Sequence, residues 1–292
     1  MKVHLVDGTY ELYRQHYGQA TKHTTPPPFA ATIGVLSSTL QLIADGATHV
    51  GVASDHIIES FRNDLYGGYK TSEGMEPVIL HQIPLVEDAL RAMGVVVWAM
   101  EEFEADDALG SAARVAAHDK RVQQVIMLTP DKDLGQCVEG KRVVQFDRRN
   151  NIVIDDAAVR EKFGVGPASI ADYLALVGDT SDGFPGLAGW GAKSASAVLA
   201  KYGTIDNIPD NHEQWITDGV TVRSAEKLAT TLSTSRTEAA LFKQLATLIT
   251  TVPVGNIVDW KWAGPTERFE EVANRLGVPQ LVERVAKVQS RI

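Results

Sequence analysis

Three absences narrow the class of this 292-residue protein. The single cysteine, Cys137, excludes an internal disulfide and fits a reducing compartment. No apolar run approaches the roughly 20 residues that a membrane-spanning helix needs, and the apolar stretch within residues 1–7 is too short for a signal peptide. Long-period repeats and low-complexity segments are absent as well. We therefore expect a cytoplasmic globular protein that does not bind a membrane.

Positive charge is also in deficit, because 28 Lys and Arg residues stand against 37 Asp and Glu residues, for a net charge of −9. Taken alone, this balance argues against a nucleic-acid partner, since phosphate binding usually requires a basic surface. The objection weakens if the acids are concentrated in one metal site. The distribution of charge then matters more than its sum.

The densest acidic stretch is Met100–Leu109, where five carboxylates fall within seven residues. It follows a predicted strand, Val95–Met100, and opens a predicted helix, Ala105–His118. One or two acids are enough to cap a helix N-terminus, whereas Glu104, Asp106 and Asp107 crowd a single turn. Their repulsion needs a positive counter-charge, which we interpret as divalent metal.

Strand-like and helix-like patterns alternate along the first half of the chain. The predicted strands are 3–7, 49–54, 95–100 and 125–128, and the predicted helices are 10–17, 33–43, 77–93 and 105–118, with a loop at Pro26–Pro28. Further strand-like runs at 142–146 and 152–154 precede a helical region, and Val258–Trp262 is strand-like again. The pattern predicts an α/β fold with a mainly parallel central sheet flanked by helices. The expected domains are 1–165 and a helical region, 166–292.

Acidic residues follow the ends of four predicted strands. They are Asp7, Asp55, the group Glu104, Asp106 and Asp107, and the pair Asp131 and Asp133. A single aspartate after a strand is usually a turn residue or a helix cap. Because the ligand crevice of an open α/β sheet lies outside the carboxyl ends of its strands, four such positions together indicate a metal site.

Two more features lie in the helical region. Asp179 and Asp182 stand beside a predicted helix end, where either an ordinary turn or a bound cation would explain them. Directly after them, residues 186–203 are typical of a helix–hairpin–helix. Its glycines allow close backbone approach, and N–H groups at the next helix N-terminus suit a phosphate. A purely structural glycine turn is the alternative.

The motifs Glu-Ala-Asp-Asp at 104–107, Asp-Lys-Asp at 131–133 and Gly-Asp-x-Ser-Asp at 178–182 occur in this order. Together they resemble the 5′-nuclease superfamily of bacterial 5′→3′ exonucleases and flap endonucleases, which includes the N-terminal nuclease domain of DNA polymerase I. The resemblance runs from Asp7 to at least Val254, since residues 242–253 look like the closing helix of the family. It implies a PIN-like fold with a helix–hairpin–helix (H3TH) subdomain, and we expect a standalone nuclease or a fragment.

The resemblance implies roles for particular residues. The first metal would be held, directly or through water, by Asp7, Asp55, Glu104, Asp106 and Asp107, and the second by Asp133, Asp179 and Asp182, with Asp131 between them. Lys70 matches the active-site lysine of the family, and Arg62 matches its basic partner near the scissile phosphate. The resemblance implies DNA contacts by the hairpin residues Gly186, Gly189, Trp190, Gly191, Lys193 and Ser194. We also expect Lys201 and Arg14 to bind DNA through their positive charge. The implied ions are two or three Mg²⁺ or Mn²⁺, with K⁺ at the hairpin.

The resemblance also implies a reaction and its substrates. A monomeric enzyme would hydrolyse DNA phosphodiesters at 5′ flaps, ends, nicks or gaps, with RNA–DNA hybrids as a further substrate, in replication and repair. The long connection at about 56–94 would form an arch or clamp over the 5′ strand, because connections of this length are usually functional or mobile. Its alternative is a plain surface excursion that packs on the sheet.

Three positions depart from the family pattern: Glu73 replaces an arginine, Trp190 an aliphatic residue and Gly183 an asparagine. Glu73 keeps open a different function, that of a structure-specific DNA-binding protein with weak catalysis. A single-strand ribonuclease with a related fold is a weaker alternative, because that fold lacks the hairpin. A small-molecule phosphatase is weaker still, because the chain contains extensive duplex-binding elements.

Overall fold

The computed structural model describes residues 1–20 and 28–291. The chain forms two compact units that interleave along the sequence. We call Met1–Ile58, Ser72–Thr129 and Ile249–Ile292 the sheet unit, and Glu59–Thr71 and Pro130–Leu248 the helical unit. Two residues of the predicted proline loop, Pro26 and Pro27, lie outside the described residues. The domain boundary near residue 165 stays a prediction.

The secondary-structure elements are numbered in chain order. The strands are β1 (Lys2–Asp7), β2 (His49–Asp55), β3 (Val96–Met100), β4 (Gln124–Leu128), β5 (Val143–Asp147) and β6 (Ile152–Ile154). The α-helices are α1 (Gly8–Ala20), α2 (Ala30–Ala44), α3 (Phe61–Leu65), α4 (Pro77–Ala92), α5 (Ala105–His118), α6 (Asp156–Phe163), α7 (Ile170–Val177), α8 (Ala192–Tyr202), α9 (His212–Thr217), α10 (Ala225–Thr234), α11 (Arg236–Ala246), α12 (Phe269–Arg275) and α13 (Gln280–Gln289). None of the described helices combines the length and the apolar character that a membrane crossing requires.

The sheet unit is built on four parallel strands in the order β3-β2-β1-β4. Val3, Leu5 and Val6 of β1 are fully buried, because a parallel strand in the middle of such a sheet is covered on both faces. The prediction of a mainly parallel sheet flanked by helices is confirmed. Parallel pairing also brings the carboxyl ends of β1 and β2 to the same edge of the sheet.

Helix α4 belongs to the hydrophobic core of the sheet unit. Its residues Ile79, Ile83, Val86 and Leu90 are at most 3% exposed and pack in one cluster with residues of α2 and β2. The expectation that all of 56–94 forms an arch is therefore corrected for α4. The hydrophobic stripe that predicts the helix is also the face that packs into the core. The segment available for a clamp is 56–76.

The C-terminal part of the sheet unit is held by three indoles rather than by a strand. Trp98 and Trp260 donate hydrogen bonds from Nε1 to the carbonyl of Val254 at 3.0 and 2.8 Å. Trp262 donates from Nε1 to the carbonyl of Met93 at 2.8 Å. The strand expected at Val258–Trp262 is wrong, because this segment is a turn with one bridge, between Lys261 and His49. Burial of the aromatic residues explains the strand-like pattern.

The helical unit contains the antiparallel β5–β6 hairpin and helices α3 and α6–α11. Asp155 caps α6, since its Oδ1 accepts from the Ala158 N–H at 3.0 Å. Three aromatic rings join α3 to the rest of this unit. Phe242 stacks on Phe184 at 5.7 Å and meets Tyr66 edge to face at 5.9 Å between centroids. This packing places the segment that carries Arg62 and Lys70 within the helical unit.

Candidate metal centre

Two acids of the sheet unit end neighbouring parallel strands. Asp7 ends β1 and Asp55 ends β2, with Asp7 in register with Ala53. Asp7 is 6% exposed. Its Oδ1 accepts from the Tyr10 N–H at 2.8 Å, and its Oδ2 accepts from the Thr129 hydroxyl at 2.9 Å. These contacts fix the Asp7 carboxylate at the C-terminal edge of the sheet, where a ligand crevice is expected.

The N-terminus of α5 is held by carboxylates of the same unit. Asp55 Oδ1 accepts from the Ala105 N–H at 2.8 Å, and Asp107 Oδ2 accepts from the Glu104 N–H at 3.0 Å. Asp107 is fully buried, and its Oδ1 accepts from the Ile249 N–H at 2.8 Å. Capping therefore accounts for Asp107, whose two oxygens bind backbone amides. A metal role for Asp107 remains a prediction and fits an indirect contact best.

The other acids near the N-terminus of α5 differ in exposure. Glu104 is 4% exposed and Asp106 is half-buried, whereas Glu101 and Glu102 are exposed. Buried carboxylates are costly unless they are paired or bind a metal. The candidate ligands of the sheet unit are therefore Asp7, Asp55, Glu104 and Asp106.

The helical unit contains the tightest acidic cluster among the described residues. Asp133, Asp179 and Asp182 each offer a carboxylate oxygen, and these atoms lie within 4.8 Å of one another. All three residues are at most 7% exposed. We call this cluster the aspartate trio. The family resemblance implied these residues as the second metal set, and the fold brings them together across some 46 positions between Asp133 and Asp179.

Two lysines contact the aspartate trio. Lys70 Nζ lies 3.1 Å from Asp182 Oδ1, and the Lys70 N–H donates to the Asp182 carbonyl at 2.9 Å. Lys132 Nζ lies 2.6 Å from Asp179 Oδ2. Burial alone would lower the pKa of Lys132, but its hydrogen bond to Asp179 and the nearby carboxylates raise it above the usual value. Sequence reasoning missed Lys132, although it is the middle residue of the Asp-Lys-Asp motif.

Asp131 and Asp133 are aspartates whose pKa values are raised in this cluster. Burial, followed by the charges of Asp131, Asp182 and Asp179, raises the pKa of Asp133 well above its usual value. Burial also raises the pKa of Asp131. Asp131 Oδ1 accepts from the Asp133 N–H at 2.9 Å, and the Asp131 carbonyl accepts from Gln145 Nε2 at 2.5 Å. These contacts fit a positioning role, and a metal role of Asp131 remains a prediction.

The aspartate trio fits a divalent cation. Asp133 Oδ1 is buried and has no hydrogen-bond partner in the part of the chain that the structure describes. A buried carboxylate oxygen without a donor is costly, and a cation would satisfy it. Carboxylate oxygens are the ligands that Mg²⁺ and Mn²⁺ prefer. The three carboxylates and the unsatisfied oxygen of Asp133 therefore both indicate a divalent cation as the ligand.

Gly183 sets the turn that carries Asp182. Its φ is +85°, and a Cβ there would lie 2.2 Å from the carbonyl oxygen of Gly68. Gly183→Ala is therefore expected to cost about 1–3 kcal/mol and to displace Lys70, two residues beyond Gly68. Denaturant unfolding and nuclease assays would measure both effects. Gly219→Ala is the matched control, because Gly219 has the same φ of +85° in open space; equal losses in both variants would contradict the steric argument.

Arg62 is buried rather than presented to a ligand. It is 1% exposed. Its Nε donates to the Leu245 carbonyl at 2.8 Å and its Nη2 to the Thr247 carbonyl at 3.1 Å. A guanidinium at these carbonyls caps the C-terminal end of α11. These contacts fit a role of Arg62 in positioning the segment that carries Lys70, and its expected role near the scissile phosphate remains a prediction.

The hairpin has the geometry that its glycines predict. Gly186 and Gly189 have φ of 69° and 82°, and α8 begins just after Gly191, whose N–H donates to Ser194 Oγ at 3.1 Å. An open cavity of about 630 Å³ lies beside this turn. Its lining includes Lys193 together with Arg223 and Lys227, which sequence reasoning missed. The only sequence signal for these two residues is their basic charge at the start of α10.

Trp190 lies inside the helical unit. It is 7% exposed, and its ring centroid lies 6.0 Å from that of Trp215. The DNA-binding role expected for Trp190 remains a prediction, and its buried indole leaves little side-chain surface for a direct contact. Lys193 and Lys201 are exposed. Arg14 of the sheet unit is partly exposed and pairs with the fully buried Glu11. DNA contacts of the hairpin and of Arg14 remain predictions.

Acids at the ends of parallel strands and a buried aspartate trio define an α/β protein with a candidate divalent-metal centre. Two family sequence models match the chain: "5'-3' exonuclease, N-terminal resolvase-like domain" at residues 2–164 and "5'-3' exonuclease, C-terminal SAM fold" at 165–268. The chain belongs to the 5′-3′ exonuclease family, which confirms the resemblance seen in its motifs.

Similar proteins include both long and short relatives. DNA polymerase I of Pseudomonas aeruginosa is 33% identical over 92% of this chain and 29% of its own length. The 5′-3′ exonuclease of Buchnera aphidicola subsp. Acyrthosiphon pisum is 27% identical over 86% of this chain and 87% of its own length. The chain thus spans about a third of the length of the polymerase relatives and most of the Buchnera exonuclease.

Solved structures share the fold. The T5 D15 protein, co-crystallised with metal ions, matches with a TM-score of 0.69 at 15% identity, covering 99% of both chains. The catalytic core of Rad2 in complex with a DNA substrate matches with a TM-score of 0.62 at 15% identity, covering 98% of this chain and 92% of that one. At these identities the likeness establishes the fold alone.

Proposed function

We propose that this protein is a divalent-metal-dependent 5′ nuclease that hydrolyses DNA phosphodiesters at 5′ flaps, ends, nicks or gaps. The observation that carries the proposal is the buried aspartate trio, with Asp133 Oδ1 unsatisfied, in a chain of the 5′-3′ exonuclease family. The biological role would be replication and repair, including the removal of RNA primers. This role agrees with the DNA polymerase I relatives.

Two or three Mg²⁺ or Mn²⁺ ions would be held by two sets of acids. The first set is Asp7, Asp55, Glu104 and Asp106, with Asp107 contributing indirectly, and the second is the aspartate trio. When bound, such ions activate water and stabilise charge on the departing 3′ oxygen. The chain supplies no side-chain nucleophile in this proposal.

The protein groups bind and orient the phosphate. Lys70 is the proposed cationic contact, because its side chain is 28% exposed while its Nζ stays 3.1 Å from Asp182. A fixed positive charge near the scissile phosphate stabilises the charge that develops in the transition state. Asp131 orients the Asp133 backbone through its 2.9 Å hydrogen bond. Arg62 holds the segment of Lys70 in place.

The proposed duplex contact is the hairpin with α8. Backbone N–H groups around Gly191, with Lys193, Ser194 and Lys201, would contact phosphates without reading sequence. K⁺ held by backbone carbonyls of the hairpin is part of the proposal. Arg14 and residues 56–76 would contact the 5′ strand. We also propose that the protein is monomeric and that it is cytoplasmic, and the lone cysteine and the bacterial nuclease relatives support the cytoplasmic location.

A panel of labelled substrates tests the substrate class. With Mg²⁺, a 5′-labelled flap should be cut near its junction, and matched nicked, gapped and blunt duplexes, with an RNA–DNA hybrid, would rank the preferences. Cleavage of unstructured single strands at equal rates would contradict the proposal. The second candidate is a branched-DNA-binding protein with weak catalysis, which Glu73 in place of arginine favours. Tight flap binding without turnover across Mg²⁺ and Mn²⁺ titrations would support that candidate instead.

A further inference from the structure

Lys132 occupies a position that the proposed mechanism leaves unexplained. It stands between two acids of the Asp-Lys-Asp motif, and its ammonium lies 2.6 Å from Asp179 Oδ2. Its side chain is 31% exposed, whereas the Asp179 side chain is 3% exposed. The other oxygen of Asp179 accepts from the Ser181 N–H at 2.9 Å. Both oxygens of a proposed metal ligand are therefore engaged by groups of the protein.

The charges around the aspartate trio explain what this contact does. The carboxylates of the trio and of Asp131 face two ammonium groups, because Lys70 pairs with Asp182 and Lys132 pairs with Asp179. The Lys132 ammonium holds the Asp179 oxygen that a cation would need, and the two positive charges would repel each other strongly in a partly buried site. A phosphate anion would offer Lys132 another partner, so full occupancy by the cation should depend on the substrate.

We propose that Lys132 is the resident counter-ion of the aspartate trio, that it lowers the affinity of the trio for divalent cations in the absence of DNA, and that it thereby couples cation binding to the substrate phosphate. The inference rests on the proposed function of the trio as a metal centre. Lys132 is a positioning residue here. Its flexible four-carbon stem and partial exposure allow its ammonium to leave Asp179 and contact a phosphate oxygen instead.

Thermodynamic linkage makes the proposal measurable without catalysis. If DNA tightens cation binding at the trio, the cation must tighten DNA binding by the same factor. Removing the charge of Lys132 should raise the affinity of the DNA-free protein for the cation and should shrink this mutual factor. A purely structural role of Lys132 would shift stability but would leave the coupling between cation and DNA unchanged.

The experiment is Mn²⁺ binding followed by electron paramagnetic resonance, without DNA and with a DNA flap bearing a non-hydrolysable linkage. The trio site is the one that Asp133→Asn removes. Lys132→Met and Lys132→Gln are expected to bind Mn²⁺ there about tenfold more tightly than the unchanged protein. The factor by which DNA raises the Mn²⁺ affinity of these two variants should fall by a similar amount. Lys132→Arg keeps the charge and should behave as the unchanged protein.

Lys162→Met is the matched control, because Lys162 is an exposed lysine of the same unit that packs over the ring of Phe163. It should alter neither Mn²⁺ affinity nor the effect of DNA. Circular dichroism melts would establish that each variant is folded. Because Gln retains a hydrogen-bonding group, it keeps the test open if Met prevents folding.

Each outcome decides a separate question. Unchanged or weaker Mn²⁺ binding in both neutral Lys132 variants would overturn the inference while leaving a metal-dependent nuclease intact. If Asp133→Asn removes no Mn²⁺ site and flap cleavage is absent, the proposed function fails, and the inference fails with it. Tighter binding with an unchanged effect of DNA would also overturn the claimed coupling.

Discussion

Asp133→Asn is expected to lower the rate of Mg²⁺-dependent flap cleavage by about 10²–10³-fold and to stabilise the metal-free protein by about 1–2 kcal/mol. The expected loss of activity and the expected gain of stability have one cause. Asp133 is buried beside Asp179 and Asp182, and its Oδ1 lacks a hydrogen-bond partner among the described residues. The neutral amide keeps the shape of the side chain but removes both the repulsion and the ligand charge.

Kinetics and thermal unfolding in EDTA would measure these two effects. The folded protein raises the pKa of Asp133 above the value in the unfolded chain. The contribution of Asp133 to the free energy of unfolding is therefore fully present below the unfolded-state pKa. It is lost as pH rises through the folded-state pKa. The stabilising effect of Asn should therefore be absent in acid and should appear as pH rises. Asp156→Asn is a control, since Asp156 pairs with Arg160 at the surface of the same unit. A loss of both activity and stability in Asp133→Asn would contradict the account.

Arg62→Ala is expected to destabilise the protein by about 3 kcal/mol or more. The substitution removes a guanidinium that is 1% exposed and leaves the carbonyls of Leu245 and Thr247 without its donors. It also removes the contact over the Phe61 ring, where the guanidinium carbon lies 4.7 Å from the centroid. Arg62→Lys should recover little, because an ammonium cannot reproduce the planar fork.

Urea unfolding would measure this loss, and Arg160→Ala gives the comparison. Arg160 pairs with Asp156 at the surface, where its side chain is 61% exposed, so its loss should cost less than about 1 kcal/mol. If Arg62→Ala lost activity but kept its stability, Arg62 would act directly on the phosphate. The expectation derived from the family resemblance would then replace the structural role.

The acidic positions could be predicted because two simple rules apply to them. Strands reveal themselves by their apolar runs, and parallel pairing gathers their carboxyl ends at one edge, so Asp7 and Asp55 were placed correctly from sequence. The approach of Asp133 to Asp179 and Asp182 needed the order of the motifs and the family resemblance. Distance along the chain carries no such information.

Burial explains what sequence could not show. The stripe of α4 predicts a helix, but the pattern does not say which surface covers it. Arg62 and Trp190 have residue types that are common at nucleic-acid interfaces, and only the fold shows that both side chains are buried. Lys132 was overlooked for the opposite reason, because its acidic neighbours explained the motif without it. The correction for α4 and the burial of Arg62 and Trp190 concern side-chain environment, whereas the correction at Val258–Trp262 concerns secondary structure.

The most direct test of the central claim is cleavage of a 5′-labelled DNA flap with and without Mg²⁺. The unchanged protein should release labelled products near the junction, EDTA should stop the reaction, and the double variant Asp131→Ala, Asp133→Ala should yield none while still binding the flap. Unchanged cleavage by that variant, or cleavage that persists in EDTA, would contradict a metal-dependent nuclease built on these aspartates.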